Sequence, residues 1–221
     1  MRTLRKIALV AFLACLHPAL AQDAGSGGAS GLVPAPNARA RLANIRPGAD
    51  WTKFRTVEIS TLQIPLDVRD AKPPGVSTRF AESYVLRDKD VAKLQEAYAT
   101  SMQEKLSKAG YRVVTASGAD TLIVAAKILK IRLAAPIESS RMSYAGRGRT
   151  LTQNAGYMMI GAVLADGATG QVLAQVVDQN YPANVWGINN SVTNFAEAKR
   201  AFNRWASNLS DRLMALRGYT N

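Results

Sequence analysis

Residues 156–179, GYMMIGAVLADGATGQVLAQVVDQ, constrain this fold more than any other stretch. Two apolar runs flank Asp166-Gly167-Ala168-Thr169-Gly170. An aspartate side chain accepts hydrogen bonds from backbone N–H groups two or three residues ahead, and a glycine takes positive φ without steric cost. Such a segment joins two antiparallel strands through a loop longer than two residues. The first run is apolar on both faces, with Met158, Ile160, Ala162 and Leu164 on one and Tyr157, Met159 and Val163 on the other. A strand of that kind is covered on both sides, which predicts the middle of a sheet. The second run sets Gln171, Gln175 and Gln179 against Val172, Ala174 and Val176, so it lies nearer the edge or keeps one solvated face. Asp178 is in phase with that apolar set. A continuing strand turns its carboxylate inward as a candidate general base; a fraying end leaves it in solvent.

Two amphipathic helices accompany the hairpin. Over residues 88–109, Val91, Leu94, Tyr98, Met102, Leu106 and Ala109 recur at steps of three and four, one apolar stripe. Asp88 or Asp90 caps its start, Lys105 and Lys108 complement the dipole at its end, and Gly110 stops it. The second helix is predicted from Asn194, with Glu197 as capping-box partner, to about Arg217. Its stripe is Phe195, Ala198, Phe202, Trp205, Leu209, Leu213 and Leu216.

Further strands are predicted over 55–64, 111–114 and 121–133. In the last, the apolar phase slips at Ile128-Leu129, the mark of a β-bulge. Residues 67–87 read mostly as loop. The fold class is therefore α/β (α+β): a two-layer sandwich with a mixed or antiparallel sheet of about four to five strands. Both helices pack on one face, in the order β-α-β-β-β-β-α.

The N-terminus carries an address. Arg2, Arg5 and Lys6 precede the apolar run 7–16, too short to span a bilayer, and Ala19-Leu20-Ala21 provides a cleavage site. Residues 1–21 are thus read as a signal peptide and the product as exported and periplasmic. Cys15 offers the alternative of lipidation and a lipid anchor at the outer membrane, disfavoured because bulky Leu13 lies two residues before it. Residues 22–49, rich in Gly, Pro and Ala, read as a flexible tail, disordered to about Arg46, because they carry too little apolar surface to offset ordering. Residues 50–221 form a single α/β domain, with no transmembrane segment in the mature chain.

The leader also holds the chain's one cysteine, Cys15, and its one histidine, His17. The mature chain then has no thiol nucleophile, no Ser-His-Asp triad and no thiolate or imidazole ligand for a metal. No cofactor and no metal are expected. Without Arg2, Arg5 and Lys6 the basic residues fall from 28 to 25 against 16 acids, a net charge of +9. For an exported chain such charge points to an anionic envelope surface or an envelope protein rather than nucleic acid. Candidate anion or partner contacts are Lys130, Arg132, Arg141, Arg147 and Arg149; the arginine forks among them suit phosphate and carboxylate. The bland alternative is a solvated strand edge and loop. Tyr181 and Trp186, in the loop after the hairpin, are a candidate aromatic interface, or else a cover for the sheet.

Several stretches carry a resemblance: Asp50-Trp51-Thr52-Lys53-Phe54, Gly110-Tyr111-Arg112-Val113-Val114, Gly118-Ala119-Asp120-Thr121-Leu122, Asp166-Gly167-Ala168-Thr169-Gly170 and Ala201-Phe202-Asn203-Arg204-Trp205-Ala206. In these, over about Trp51 to Arg217, the chain resembles an exported bacterial family of lipoprotein type, domain of unknown function 3313. The resemblance implies a fold and an envelope location, and carries over no catalytic residue. The functional expectation is a non-catalytic periplasmic or cell-envelope binding or assembly module. The alternatives are a carrier for an apolar or anionic envelope ligand and a carboxylate-dependent enzyme acting on envelope glycan. A large apolar cavity between sheet and helices would favour the carrier.

Overall fold

The computed structural model describes residues 31–36, 38–137, 150–152, 156–180, 187–189 and 191–218. Its strands are β1 (Val33–Pro34), β2 (Leu42–Ile45), β3 (Thr56–Ile59), β4 (Arg112–Val114), β5 (Thr121–Arg132), β6 (Thr150–Thr152), β7 (Tyr157–Asp166), β8 (Val172–Asn180) and β9 (Gly187–Asn189). Helix α1 spans Asp88–Lys108 and α2 spans Ser191–Leu216. The main sheet has seven strands in the order β1-β2-β8-β7-β5-β3-β4; β6 and β9 form a separate two-stranded ribbon. Strands β3, β4 and β5 run parallel, and the other pairs are antiparallel. The α+β class is as expected, but the sheet is larger than the four to five strands predicted.

Two of the extra strands come from the segment expected to be a flexible tail. From Val33 onward it is a hairpin whose β2 lies antiparallel along β8, from Leu42 opposite Val177 to Ile45 opposite Ala174. Arg46 continues the pairing, its N–H donating to Leu173 O at 2.7 Å and its Nε to Val172 O at 2.8 Å. Composition misled here for a physical reason. The segment is held by backbone hydrogen bonds to a strand edge that would otherwise be unpaired, and side-chain apolarity is no measure of that.

The hairpin of β7 and β8 is as predicted. Asp166 Oδ1 accepts from the N–H of Ala168 at 2.9 Å, Gly170 N–H donates to Asp166 O at 2.8 Å, and Gly170 sits at φ +70°. Strand β7 is the fourth of seven, the centre of the sheet. Strand β8 is not at the edge, because β2 flanks it. The β5 bulge falls between Ile128 and Lys130.

Both helices cover one sheet face. Val57, Leu122, Val124, Ile128, Ile160 and Leu164 form one buried core with Leu94, Tyr98 and Leu106 of α1 and Phe202, Trp205 and Leu213 of α2. Tyr98 and Phe202 meet edge to face with centroids 5.8 Å apart. Helix α2 starts at Ser191, three residues before the predicted cap. Asn194 lies within it and bonds instead to the chain leaving β5: its Oδ1 accepts from Ala134 and Ala135 N–H, and its Nδ2 donates to Ala135 O. Asp90, at the third position of α1, accepts from Arg87 N–H and so supplies the carboxylate half of a capping box.

Three of the stretches that carry the family resemblance meet at one end of the sheet. Lys53 pairs with Asp166, which is 4% exposed. The N–H groups of Arg55 and Thr56 donate to Asp120 O, and Gly167 N–H donates to Thr121 O at 2.8 Å. A Cβ on Gly167 would lie 2.7 Å from that same carbonyl oxygen, so only glycine fits. Burial alone would raise the Asp166 carboxyl; Lys53 and the N–H groups of Ala168 and Thr169 outweigh it and hold the group below the usual carboxylate range. These residues are a structural clasp.

Candidate functional site

A sheet this wide exceeds its helical cover. Seven strands at ~4.8 Å spacing span ~29 Å, whereas two helices of 10–12 Å diameter cover ~20–24 Å. Helix α1 packs toward β3 and β4 and against α2. Helix α2 reaches the other way, Arg204 lying at Gln179 O in β8 and Ser210 at Lys105 O in α1. The helix-side face beyond β8, toward β2, is therefore left without full helical cover.

Side-chain size deepens that part of the face. Register aligns Ala126 of β5 with Ala162 of β7, Ala162 with Val176 of β8, and Val176 with Ala43 of β2. Four adjacent strands thus present three alanines and a valine in one row across the sheet. Above this row lies a cavity of about 340 Å³, within the range of small-molecule sites. Trp205, Leu209, Leu213 and Leu216 of α2 line it, together with the buried Tyr98 and Met102 of α1. Ala35, Ala38, Arg39 and Ala40, the turn of the β1–β2 hairpin, overhang it as a strap.

Polarity is graded along the cavity. Its inner lining includes the buried Tyr98, Met102, Val124, Leu164 and Leu213. Charged and polar side chains also line it where the strap turn, the end of β8 and the second half of α2 come together: Arg39, Asp178, Asn208, Asp211 and Arg212. Arg212 donates to Pro36 O at 3.2 Å and Arg41 to Gln179 Oε1 at 2.7 Å, so the strap is fastened at both flanks of this mouth. Strand β8 continues through Asp178, opposite Ile160, and the carboxylate is half-buried at the cavity wall, where it accepts from Gln179 N–H at 2.8 Å. Of the two sequence-based readings for Asp178, the inward one holds.

Two buried polar atoms on lining residues, Tyr98 OH and Trp205 Nε1, have no hydrogen-bond partner among the described residues and are closed to water. Burial pushes the Tyr98 phenol well up, so it stays neutral. Each such atom costs about 1–3 kcal/mol of unrecovered desolvation.

Apart from Asp178, the sequence candidates that the structure describes lie elsewhere. Lys130 is exposed and Arg132 half-buried; in β5 they flank the core residue Ile131 and so face away from the helices and the cavity. Arg141, Arg147, Arg149, Tyr181, Trp186 and Cys15 fall outside the described residues. What sequence reasoning missed is the alanine row and the strap. The alanines are visible in the sequence, but only strand register aligns them. Among the described residues, no cluster of three or more His, Cys, Asp or Glu could hold a metal ion, and no helix is long and apolar enough to cross a membrane.

The family model described as protein of unknown function (DUF3313) matches residues 22–209. No curated protein matches the chain. Among solved structures it is similar to a DUF330-type protein from Xanthomonas campestris, at 9% identity and TM-score 0.45 over 78% of this chain and 90% of that one. It is also similar to the PelC dodecamer from Paraburkholderia phytofirmans (10% identity, TM-score 0.39, 76% and 96% covered). A minor lipoprotein from Acinetobacter baumannii is a third neighbour (9% identity, TM-score 0.35, 74% and 95% covered). At that distance nothing about the neighbours' ligands or assemblies transfers to this chain.

Proposed function

The chain belongs to the DUF3313 family, and we propose that it is a non-catalytic binding protein of the cell envelope that carries an apolar ligand between its sheet and helices. The observation behind this reading is the cavity over the alanine row: apolar inside, polar at one mouth and overhung by a strap. A well-formed apolar pocket with a few convergent polar groups is the usual form of a small-molecule site. The N-terminal address, Arg2, Arg5 and Lys6 before an apolar run and Ala19-Leu20-Ala21, supports export. The +9 charge of the chain after that leader suits an anionic envelope.

Binding can be tested with a neutral, polarity-sensitive naphthylamine dye titrated into the delipidated protein. Saturable one-to-one binding that raises Tm, and its loss in Ala162→Leu, is the expected result. Unsaturable or absent binding would remove the carrier function. Intact-mass measurement of the exported protein should give a chain starting at Gln22; a diacylated Cys15 would replace the periplasmic form by an anchored one.

A further inference from the structure

The mouth of the cavity says what the far end of the ligand must be. It carries two guanidinium groups, Arg39 and Arg212, and two carboxylates, Asp178 and Asp211. Opposite charges gathered at one opening would ordinarily pair with one another. Here none of the four is in an ion pair among the described residues. Arg212 donates one N–H to the Pro36 carbonyl and keeps its other donors, Asp178 accepts only from Gln179 N–H, and Arg39 and Asp211 are exposed. The four charges come from three elements: the strap turn for Arg39, strand β8 for Asp178, and helix α2 for the adjacent Asp211 and Arg212. Unpaired charges of both signs lining one cavity suit a head group that carries both signs.

We propose that the cavity binds a single-chain zwitterionic amphiphile, with its hydrocarbon chain along the alanine row and its head at this mouth. An anionic group on the head meets Arg39 and Arg212, and an ammonium group meets Asp178 and Asp211. The proposal rests on the cavity being a ligand site. One chain is specified because the cavity, at about 340 Å³, is small for a second hydrocarbon chain. Both charges are specified because a purely anionic head would stand beside two carboxylates, and a purely cationic head beside two guanidiniums. Like charges placed together oppose binding as strongly as the matched pair favours it.

The test is calorimetric titration of the delipidated full-length protein with four single-chain probes of equal chain length, each below its micelle concentration. They are a lysophosphatidylethanolamine, a fatty acid anion, an alkylammonium and a neutral alkanol. The zwitterion should bind about tenfold more tightly than either singly charged probe, the worth of one charge-assisted hydrogen bond at a partly open site. Asp178→Asn should weaken the zwitterion and the alkylammonium about fivefold, and Arg39→Gln the zwitterion and the fatty acid by a similar factor. Both variants should leave the alkanol unchanged, which serves as the control for folding and for the cavity itself. Alkanol binding with no preference among heads, or a fatty acid bound more tightly than the zwitterion, would overturn this inference and leave the cavity reading standing. Absence of binding by all four would overturn both.

Discussion

Filling the cavity should stabilise the protein and abolish its binding at once. Ala162 is the residue to change, because it lies in the centre of the alanine row between Ala126 and Val176. Leucine adds three carbon groups at that position. Burying them contributes at most about 2.4 kcal/mol, at ~0.8 kcal/mol for each. Fixing the leucine rotamer costs about 0.5–1 kcal/mol. Ala162 is only half-buried, so part of the added surface stays wet and the gain falls further. The net expectation is about 1 kcal/mol of added stability in the ligand-free protein, or about 2–4 °C in Tm for a domain of this size. Urea denaturation of the delipidated variant measures the first quantity, and dye titration of the same preparation should show binding lost. Ala125→Leu, one residue along from the row on the opposite sheet face, is the control and should keep dye binding. A packed core would make Ala162→Leu destabilising by about 1–3 kcal/mol through overpacking. That result, or dye binding unchanged in the variant, would refute the cavity as drawn.

Other changes test the frame around the site. Tyr98→Phe deletes a buried hydroxyl that has no partner among the described residues, so urea denaturation of the ligand-free protein should show stability unchanged or raised by about 1 kcal/mol; a loss above 1 kcal/mol would reveal a partner. Asp166 has a carboxyl held below its ordinary range, so its contribution is present above the unfolded value of about 3.9 and disappears as pH falls through the folded value. Asp166→Asn should accordingly cost about 1–2 kcal/mol at neutral pH, discounted for the partial exposure of Lys53, with the gap to the native protein closing below about pH 4. Gly167→Ala forces a Cβ to 2.7 Å from Thr121 O, and denaturation should show a loss of about 1–3 kcal/mol, from a shift of two backbone segments.

The elements legible in the sequence are those whose signal is local. The α2 stripe from Ala198 to Leu213, the DGATG turn and the slip at Ile128 each depend on spacing within one segment, and each is found in the structure. The strap was not legible, because its stability comes from the open edge of β8, more than 120 residues downstream. Nor was the alanine row. Ala43, Ala126, Ala162 and Ala174 are ordinary small residues until register brings them beside or along one trough. The charged residues that stood out in the sequence did so by density. Lys130 and Arg132 are dense along β5 but point off the opposite face. Arg39, Asp178 and the adjacent pair Asp211 and Arg212, from three distant parts of the chain, are the ones that line the cavity.

The same mismatch that creates the cavity also explains the strap. A seven-stranded sheet with two helices leaves apolar surface on its helix side near β8 and β2, and an open edge on β8 wherever β2 is absent. One hairpin answers both needs. Its β2 strand pairs with the β8 edge, and its turn overhangs the strip that lacks full helical cover. A third helix would have packed that strip solid, as helices do over the rest of the core. A strap of small residues, Ala35, Ala38 and Ala40, leaves space beneath it instead. Its attachments include the β2–β8 ladder, the Arg46 bonds to Val172 and Leu173, Arg41 to Gln179, Arg212 to Pro36, and Ile45 packed against the core. Among the described residues, the turn over the cavity is tied by backbone pairing and polar contacts, whereas residues of the floor and the α2 wall belong to the hydrophobic core. Elements with few buried apolar contacts open at lower free energy than the core does. Access to the cavity therefore runs past the strap, and the charged mouth lies where the strap turns.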